Sequence, residues 1–379
     1  MEVLTTNIGA LEAYQCGLSH QLSEIQKRMK VHQPKLAKVC FALYDSRDHL
    51  LRSYADSSSL SLRMAHYEAP LSSLPYLKSC LESRTETYLS ELSDLHPSPH
   101  VRALLGEGFH SSVAMPIFAE QRFCGFLFLN SHYPDAFTQS DIKALKPYLK
   151  MLEVAIFSEY QLVHLLVEKL SKLIARSPVY QRESFSHKQR VAAYTNMIAL
   201  ALADHYDVDD EFVEHLTLFA QYHDIGKIRL SPELLCKQQV LTQDEVNQLR
   251  QHIIFGEEIV EQLIAELNAL DHPSAILLHD VISYHYEFLD GSGYPRQLQA
   301  DEIPLGARIV CVANIFDAMT THKPYKQGCS VPYALLELEK MVAMNKLDAR
   351  CVDALRNHQH QLKSILERYP ERDPMEGLY

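Results

Sequence analysis

Apolar positions follow two different rhythms along this chain, and the change between them comes near Thr138. Before it, short apolar runs are bounded by polar turns: LAKVCFALY at 36–44, SSVAMPIF at 111–118 and RFCGFLFLN at 122–130. Runs of this length and composition predict strands, and Ala119–Arg122 predicts a hairpin link between the last two. Segments 71–92 and 99–106 carry helical spacing or loop character. The first 140 residues therefore predict a mixed α and β domain.

After Thr138 the pattern is helical. Leu145, Leu149, Leu152, Ile156, Glu159, Val163, Leu166, Leu170 and Leu173 step by alternating four and three residues, and Glu159 alone breaks the apolar seam. A heptad seam predicts a connecting helix at 141–178 acting as a dimerising coiled coil and transmission rod, with Pro147 kinking its start or marking where it begins in earnest. The alternative is one helix buried on its own domain. Further on, VAAYTNMIALALADHY (191–206) and DDEFVEHLTLFAQYHDIGK (209–227) predict helices, the second stopped by Gly226. Thr242 and Glu245 form a capping box, Pro273 opens SAILLHDVISYHYE, and ARIVCVANIFDAM (307–319) is the last expected helix. The fold class is thus α+β: a mixed domain at 1–140, a helix at 141–178, an all-α domain at 179–370 and a flexible tail at 371–379, the last residues YPERDPMEGLY (369–379) reading as frayed.

With 379 residues, 47% hydrophobic and 22% charged, the chain is sized for two globular domains. Its net charge of −12 argues against DNA binding through a basic face, and leaves room for a small anion held by a local basic cluster. The N-terminus lacks a signal peptide's basic start and apolar run, and no apolar stretch approaches the ~18 residues of a membrane span. Eight cysteines without CxxC pairing fit a reducing, cytoplasmic setting.

The chemistry centres on histidine, of which there are twenty. YHDIGK at 222–227 places His223 and Asp224 side by side, one nitrogen and two oxygens able to bind one cation or bridge two. Glu183 and His187 are four apart, one helical turn, and can face one ion together. His252 lies in QHIIFGEEI, and His285 ends a helix just before the GSGYP turn. An HD dipeptide alone means little; His279–Asp280 is assigned to a solvated or packed helix position. Several such groups near helix ends in one helical half predict a shared metal cluster.

YHDIGK, DGSGYP (290–295) and ANIFDAMTTHKPYK (313–326) together resemble the HD-GYP family of HD phosphohydrolases, from about Glu183 to Leu355. The resemblance implies an all-helical domain holding two or three divalent ions, iron or manganese, and hydrolysis of the bacterial messenger cyclic di-GMP. It implies metal ligands at Glu183, His187, His223, Asp224, His252 and His285, with Asp224 and Lys227 catalytic. Gly291, Gly293, Tyr294 and Pro295 match the family's glycine-rich turn, and Lys323 and Lys326 stand where it grips phosphates. The first half resembles a GAF sensor domain with a ligand of its own.

Two ligand positions depart from the family. Tyr286 replaces a histidine, and Asn314 replaces an aspartate. A phenol must lose a proton of pKa ~10 to bind a cation well, and an amide offers only a neutral carbonyl. Lys323 also replaces the usual arginine, exchanging a two-pronged donor for a point charge. Asp317, one turn beyond Asn314, is expected to support the centre from behind its ligands. Two readings follow. One is a phosphodiesterase of reduced activity, regulated by the GAF-like half and working as a homodimer. The other is a degenerate module that binds the nucleotide or a signalling protein without cleaving it.

Overall fold

A computed structural model describes residues 17–46, 48–58, 67–119, 121–177, 185–237, 239–321 and 328–370. They fall into two compact units, Gln15–Val163 with Asp207–Glu211, and His164–Tyr206 with Phe212–Tyr379. No helix among the described residues is long and apolar enough to cross a membrane.

The first unit is built on antiparallel strands β1 (Lys38–Asp45), β2 (Leu50–Asp56), β3 (Glu68–Pro70), β4 (Thr87–Leu89), β5 (Ser111–Ala119) and β6 (Arg122–Ser131). Their spatial order is β3-β2-β1-β6-β5-β4. The hairpin read from the sequence is β5–β6, pairing Ser111 with Ser131 and Ala119 with Arg122. Because side chains alternate along a strand, β6 feeds two cores: Leu127 and Leu129 enter one, Phe126 and Phe128 the other. Helices α1 (Leu18–Met29) and α4 (Gln139–Ala175) cover the first face through Leu18, Leu22, Met29, Leu145, Leu152 and Ile156. Helix α2 (Pro75–Ser83) covers the second through Leu77, and α3 (Pro99–Gly106) adds Leu104 beside Leu89 of β4.

Helix α4 runs for 37 residues straight through Pro147. Along its seam Leu145, Leu152, Ile156, Glu159, Leu166 and Leu170 are buried, while Leu149, Val163 and Leu173 are half-buried.

The second unit is helical: α5 (Phe185–Tyr206), α6 (Asp210–Ala220), α7 (Pro232–Leu235), α8 (Gln243–Arg250), α9 (His252–Glu266), α10 (Pro273–Tyr284), α11 (Leu305–Thr320), α12 (Val331–Ala343), α13 (Ala349–Asn357) and α14 (Gln359–Arg368). The capping box forms as expected, Thr242 N donating to Glu245 Oε2 at 2.8 Å and Glu245 N to Thr242 Oγ1 at 3.3 Å. Three expectations are corrected. The helix at 209–227 stops at Ala220, and Gly226 lies within a separate tight turn, Ile225–Arg229, rather than capping a helix. Residues 307–319 are not the last helix, because α12 to α14 follow. Tyr369 and Pro370, at the start of the expected loose end, are tied down: their carbonyls accept from Arg190 and from Ser186. Residues 371–379 lie outside the described residues.

Candidate metal centre

Four elements converge on one point. The start of α5 supplies His187, the turn after α6 supplies His223 and Asp224, the start of α9 supplies His252, and the C-cap of α10 is His285. Gly226 makes the approach possible: a Cβ there would lie 1.8 Å from the carbonyl oxygen of His252 and 2.4 Å from the nitrogen of Gly256. Glycine is thus required for the Asp224 turn to touch the start of α9.

His223, Asp224, His252 and His285 are all at most 3% exposed. Asp224 Oδ2 lies 3.2 Å from His223 Nε2, and its Oδ1 lies 3.0 Å from His252 Nε2 and 3.6 Å from His285 Nε2. Despite these distances, all three Nε2 atoms and Asp224 Oδ1 are buried without a hydrogen-bond partner of proper geometry. The other ring nitrogens explain why. Nδ1 donates to the carbonyls of Ala220, Leu249 and Val281 in His223, His252 and His285, at 2.8, 2.6 and 2.8 Å. A carbonyl only accepts, so in the neutral ring the proton sits on Nδ1 and Nε2 turns a lone pair toward Asp224. Buried lone pairs facing a buried carboxylate, with no hydrogen between them, suit a cation.

The ligand atoms fall into two sets, His187–His223–Asp224 and Asp224–His252–His285, each with its atoms within 4.8 Å of one another. Asp224 belongs to both, as a carboxylate bridging two cations does. Imidazole with carboxylate suits iron, manganese or zinc better than calcium.

Charge is arranged around that carboxylate. Burial would raise its pKa, but Lys227, with Nζ 2.5 Å from Oδ2, and His223 outweigh burial and hold Asp224 well below the usual carboxylate range. Reciprocally, burial pulls His223 down and Asp224 more than restores it. Burial takes His285 down to about 4.

Behind His187 stands Asp317, its Oδ2 2.7 Å from His187 Nδ1. Arg190 donates to both Asp317 oxygens, at 2.6 and 3.1 Å. Asp317 therefore holds the ring of His187, while the contact of Arg190 with it was not read from the sequence. Its signal is its place three residues after His187 on one helix. Asn314 lies buried on α11, 6% exposed.

The glycine-rich turn packs on the same point. The Tyr286 ring lies 4.8 Å from that of His285 and 5.6 Å from that of His252, and stacks on Tyr294 at 5.0 Å. Arg250 covers Tyr294, its Cζ 4.8 Å from the ring centre. Burial raises the Tyr294 hydroxyl. Glu287 is not turned to a cation: it accepts from the backbone nitrogens of Arg296 and Leu298 at 2.6 and 3.1 Å and anchors the loop. A Cβ at Gly293 would lie 2.4 Å from the nitrogen of Phe288 and 2.5 Å from Cα of Glu287. The Tyr294–Pro295 peptide is cis. His279 is packed apart from the centre, beside Glu257 and Asp280. Glu183, Lys323 and Lys326 lie outside the described residues.

Residues 166–351 match the family model described as HD domain. The chain is 31% identical over 241 residues to a cyclic di-GMP phosphodiesterase of Thermotoga maritima, covering 62% of this chain and 61% of that protein. It is 34% identical over 181 residues to the cyclic di-GMP phosphodiesterase response regulator RpfG of Xanthomonas campestris pv. campestris, covering 48% and 46%. Against 3'3'-cGAMP-specific phosphodiesterase 3 of Vibrio cholerae it is 33% identical over 192 residues, covering 50% and 38%. The chain thus matches about half the length of these relatives. A GAF domain/HD domain protein of Geobacter sulfurreducens aligns at 16% identity and a TM-score of 0.31, covering 42% of this chain and 99% of that one.

Proposed function

We propose that the helical unit, whose residues 166–351 match the HD domain family model, is a metal-dependent phosphodiesterase of the HD-GYP type acting on a cyclic dinucleotide, cyclic di-GMP first. The observation that carries this reading is Asp224, shared by two ligand sets while three buried Nε2 atoms face it without hydrogen bonds. Relatives named as cyclic di-GMP and 3'3'-cGAMP phosphodiesterases support the substrate class.

Asp224 with His187 and His223, and Asp224 with His252 and His285, would hold two cations, iron or manganese. Such ions supply a water acidified toward neutral pH and positive charge for the phosphoryl oxygens. The chain's own residues do the rest. Backbone carbonyls keep Nδ1 of His223, His252 and His285 protonated, so these rings are aimed before any ion arrives. Lys227 offsets Asp224 and would share its ammonium with an arriving phosphate. Lys323 and Lys326 would hold the second phosphate. The turn at Gly293–Tyr294, backed by Arg250, closes the centre on one side. The N-terminal sheet unit would act as a GAF-like sensor, with a ligand of its own and α4 as the rod that relays its state, in a cytoplasmic homodimer.

A second reading has its own observation. Tyr286 is engaged in stacking on Tyr294, and Asn314 brings no charge, so the centre has two ligands fewer than the family pattern. In that case the unit binds cyclic di-GMP or a signalling protein without cleaving it. Turnover of cyclic di-GMP by the wild type and by a Tyr286→His/Asn314→Asp double variant separates the two. Measurable wild-type cleavage supports the enzyme. Cleavage by the double variant alone supports the binding module, and its absence from both, with metal bound, removes the hydrolase reading.

A further inference from the structure

His187 differs from the other three histidines in what holds its ring. Their Nδ1 atoms meet backbone carbonyls, which are neutral. His187 Nδ1 lies 2.7 Å from a carboxylate, Asp317 Oδ2, brought from 130 residues away. That carboxylate is buried and clamped from both sides. Arg190 donates to Oδ1 through Nε and to Oδ2 through a terminal nitrogen, and Thr321 Oγ1 lies 3.2 Å from Oδ2. Arg190 is itself 1% exposed and donates its remaining terminal nitrogen to the Tyr369 carbonyl at 2.7 Å. His187 also needs the clamp most: its side chain is 16% exposed, whereas those of His223, His252 and His285 are at most 3% exposed.

A ring whose N–H is donated to a carboxylate is held more firmly, and is more basic at its other nitrogen, than one donated to a carbonyl. We infer that Arg190 and Asp317 are positioning residues that make the His187–His223–Asp224 position the tighter of the two cation positions. This rests on the metal-centre reading above. Asp317 belongs to neither ligand set and acts through His187. Helix α11 thus lends its negative charge from behind a ligand, one turn past the neutral Asn314, and the loss of a carboxylate at 314 does not empty the centre of α11's influence.

The test is titration of the metal-free full chain with Mn²⁺, the free ion being followed by electron paramagnetic resonance. The wild type takes two equivalents, one tighter than the other. Asp317→Asn weakens the tighter equivalent by roughly 10- to 100-fold and leaves the weaker one unchanged, while the metal-free protein melts lower because the buried Arg190 loses its counter-charge. Asp317→Glu recovers part of the loss. In ¹⁵N spectra of the imidazoles, Asp317→Asn also lowers the fraction of His187 protonated at Nδ1. Arg190→Lys gives a smaller loss in the same equivalent and serves if Asp317→Asn fails to fold. Wild-type affinities in folded Asp317→Asn or Arg190→Lys overturn the inference. So does equal weakening of both equivalents, which marks a merely structural role. A wild type that binds no Mn²⁺ removes the metal-centre reading itself.

Discussion

Tyr286 lies nearly flat against Tyr294, ring centres 5.0 Å apart and planes 18° apart. Its flank meets His252 edge-on, at 85°, and it adjoins His285. The tyrosine that stands where the family pattern has a histidine is thus a packing element that joins the glycine-rich turn to His252 and His285. In chelator, Tyr286→His loses that stacking and lowers the unfolding free energy by about 1 kcal/mol. In excess Mn²⁺ the loss shrinks, because an added imidazole ligand ties metal binding to folding. Urea denaturation with and without metal checks both halves.

Gly226 tests the approach of the Asp224 turn to α9. A methyl group there meets the His252 carbonyl oxygen at 1.8 Å, and that atom is backbone. Gly226→Ala is expected to cost about 3 kcal/mol and to weaken Mn²⁺ binding as Asp224 and His252 separate. An alanine variant with wild-type urea midpoint and affinity counters the claim that glycine is required.

His279 makes the helical unit sensitive to alkali. Burial pushes its pKa down, but hydrogen bonds to Asp280 and Glu257 prevail and raise it to about 9. Its folded value lies above the unfolded one of about 6.5. The stabilisation is therefore complete below pH ~6.5 and is lost as pH rises through about 9. Over that window it amounts to about 2 kcal/mol, allowing for the solvent at the ring's edge. His279→Gln is expected to flatten the fall in melting temperature between pH 7 and 9.5.

His100, in the sheet unit, shows the opposite sign. It is 5% exposed, both ring nitrogens lack hydrogen-bond partners, and burial takes its pKa down to about 4. Stability there is present above the unfolded value of about 6.5 and is lost as pH falls toward 4. His100→Phe keeps the ring contacts with Tyr67 and Phe128, removes the unpartnered nitrogens, and is expected to gain about 1 kcal/mol at pH 7. Its gain over the wild type grows at pH 5. Melting curves at the two values measure this.

The sequence made this cluster legible because its residues sit in short motifs, and His187, His223, Asp224, His252 and His285 do meet. Strands β1, β5 and β6 were legible from their apolar runs, whereas β3 and β4, three residues each, are too short to show a period. Helices α13 and α14 carry narrow apolar stripes, Cys351, Val352, Ala354 and Leu355 in one and Leu362 in the other, so polar residues mask them. The heptad spacing in α4 was plain, but 3.5-residue periodicity serves burial on one's own core as well as on a partner. Three roles depend on contacts remote in sequence and had no local signal. These are Gly226 against His252, Glu287 anchoring Arg296 and Leu298, and Arg190 clamping Asp317.

The central claim is that Asp224 joins two cation positions. Elemental analysis of the full chain purified without added metal, beside Asp224→Ala prepared identically, tests it most directly. Two iron or manganese ions per wild-type chain and fewer than one in the folded variant are predicted. A wild-type chain free of transition metal, or a variant that retains both ions, contradicts it.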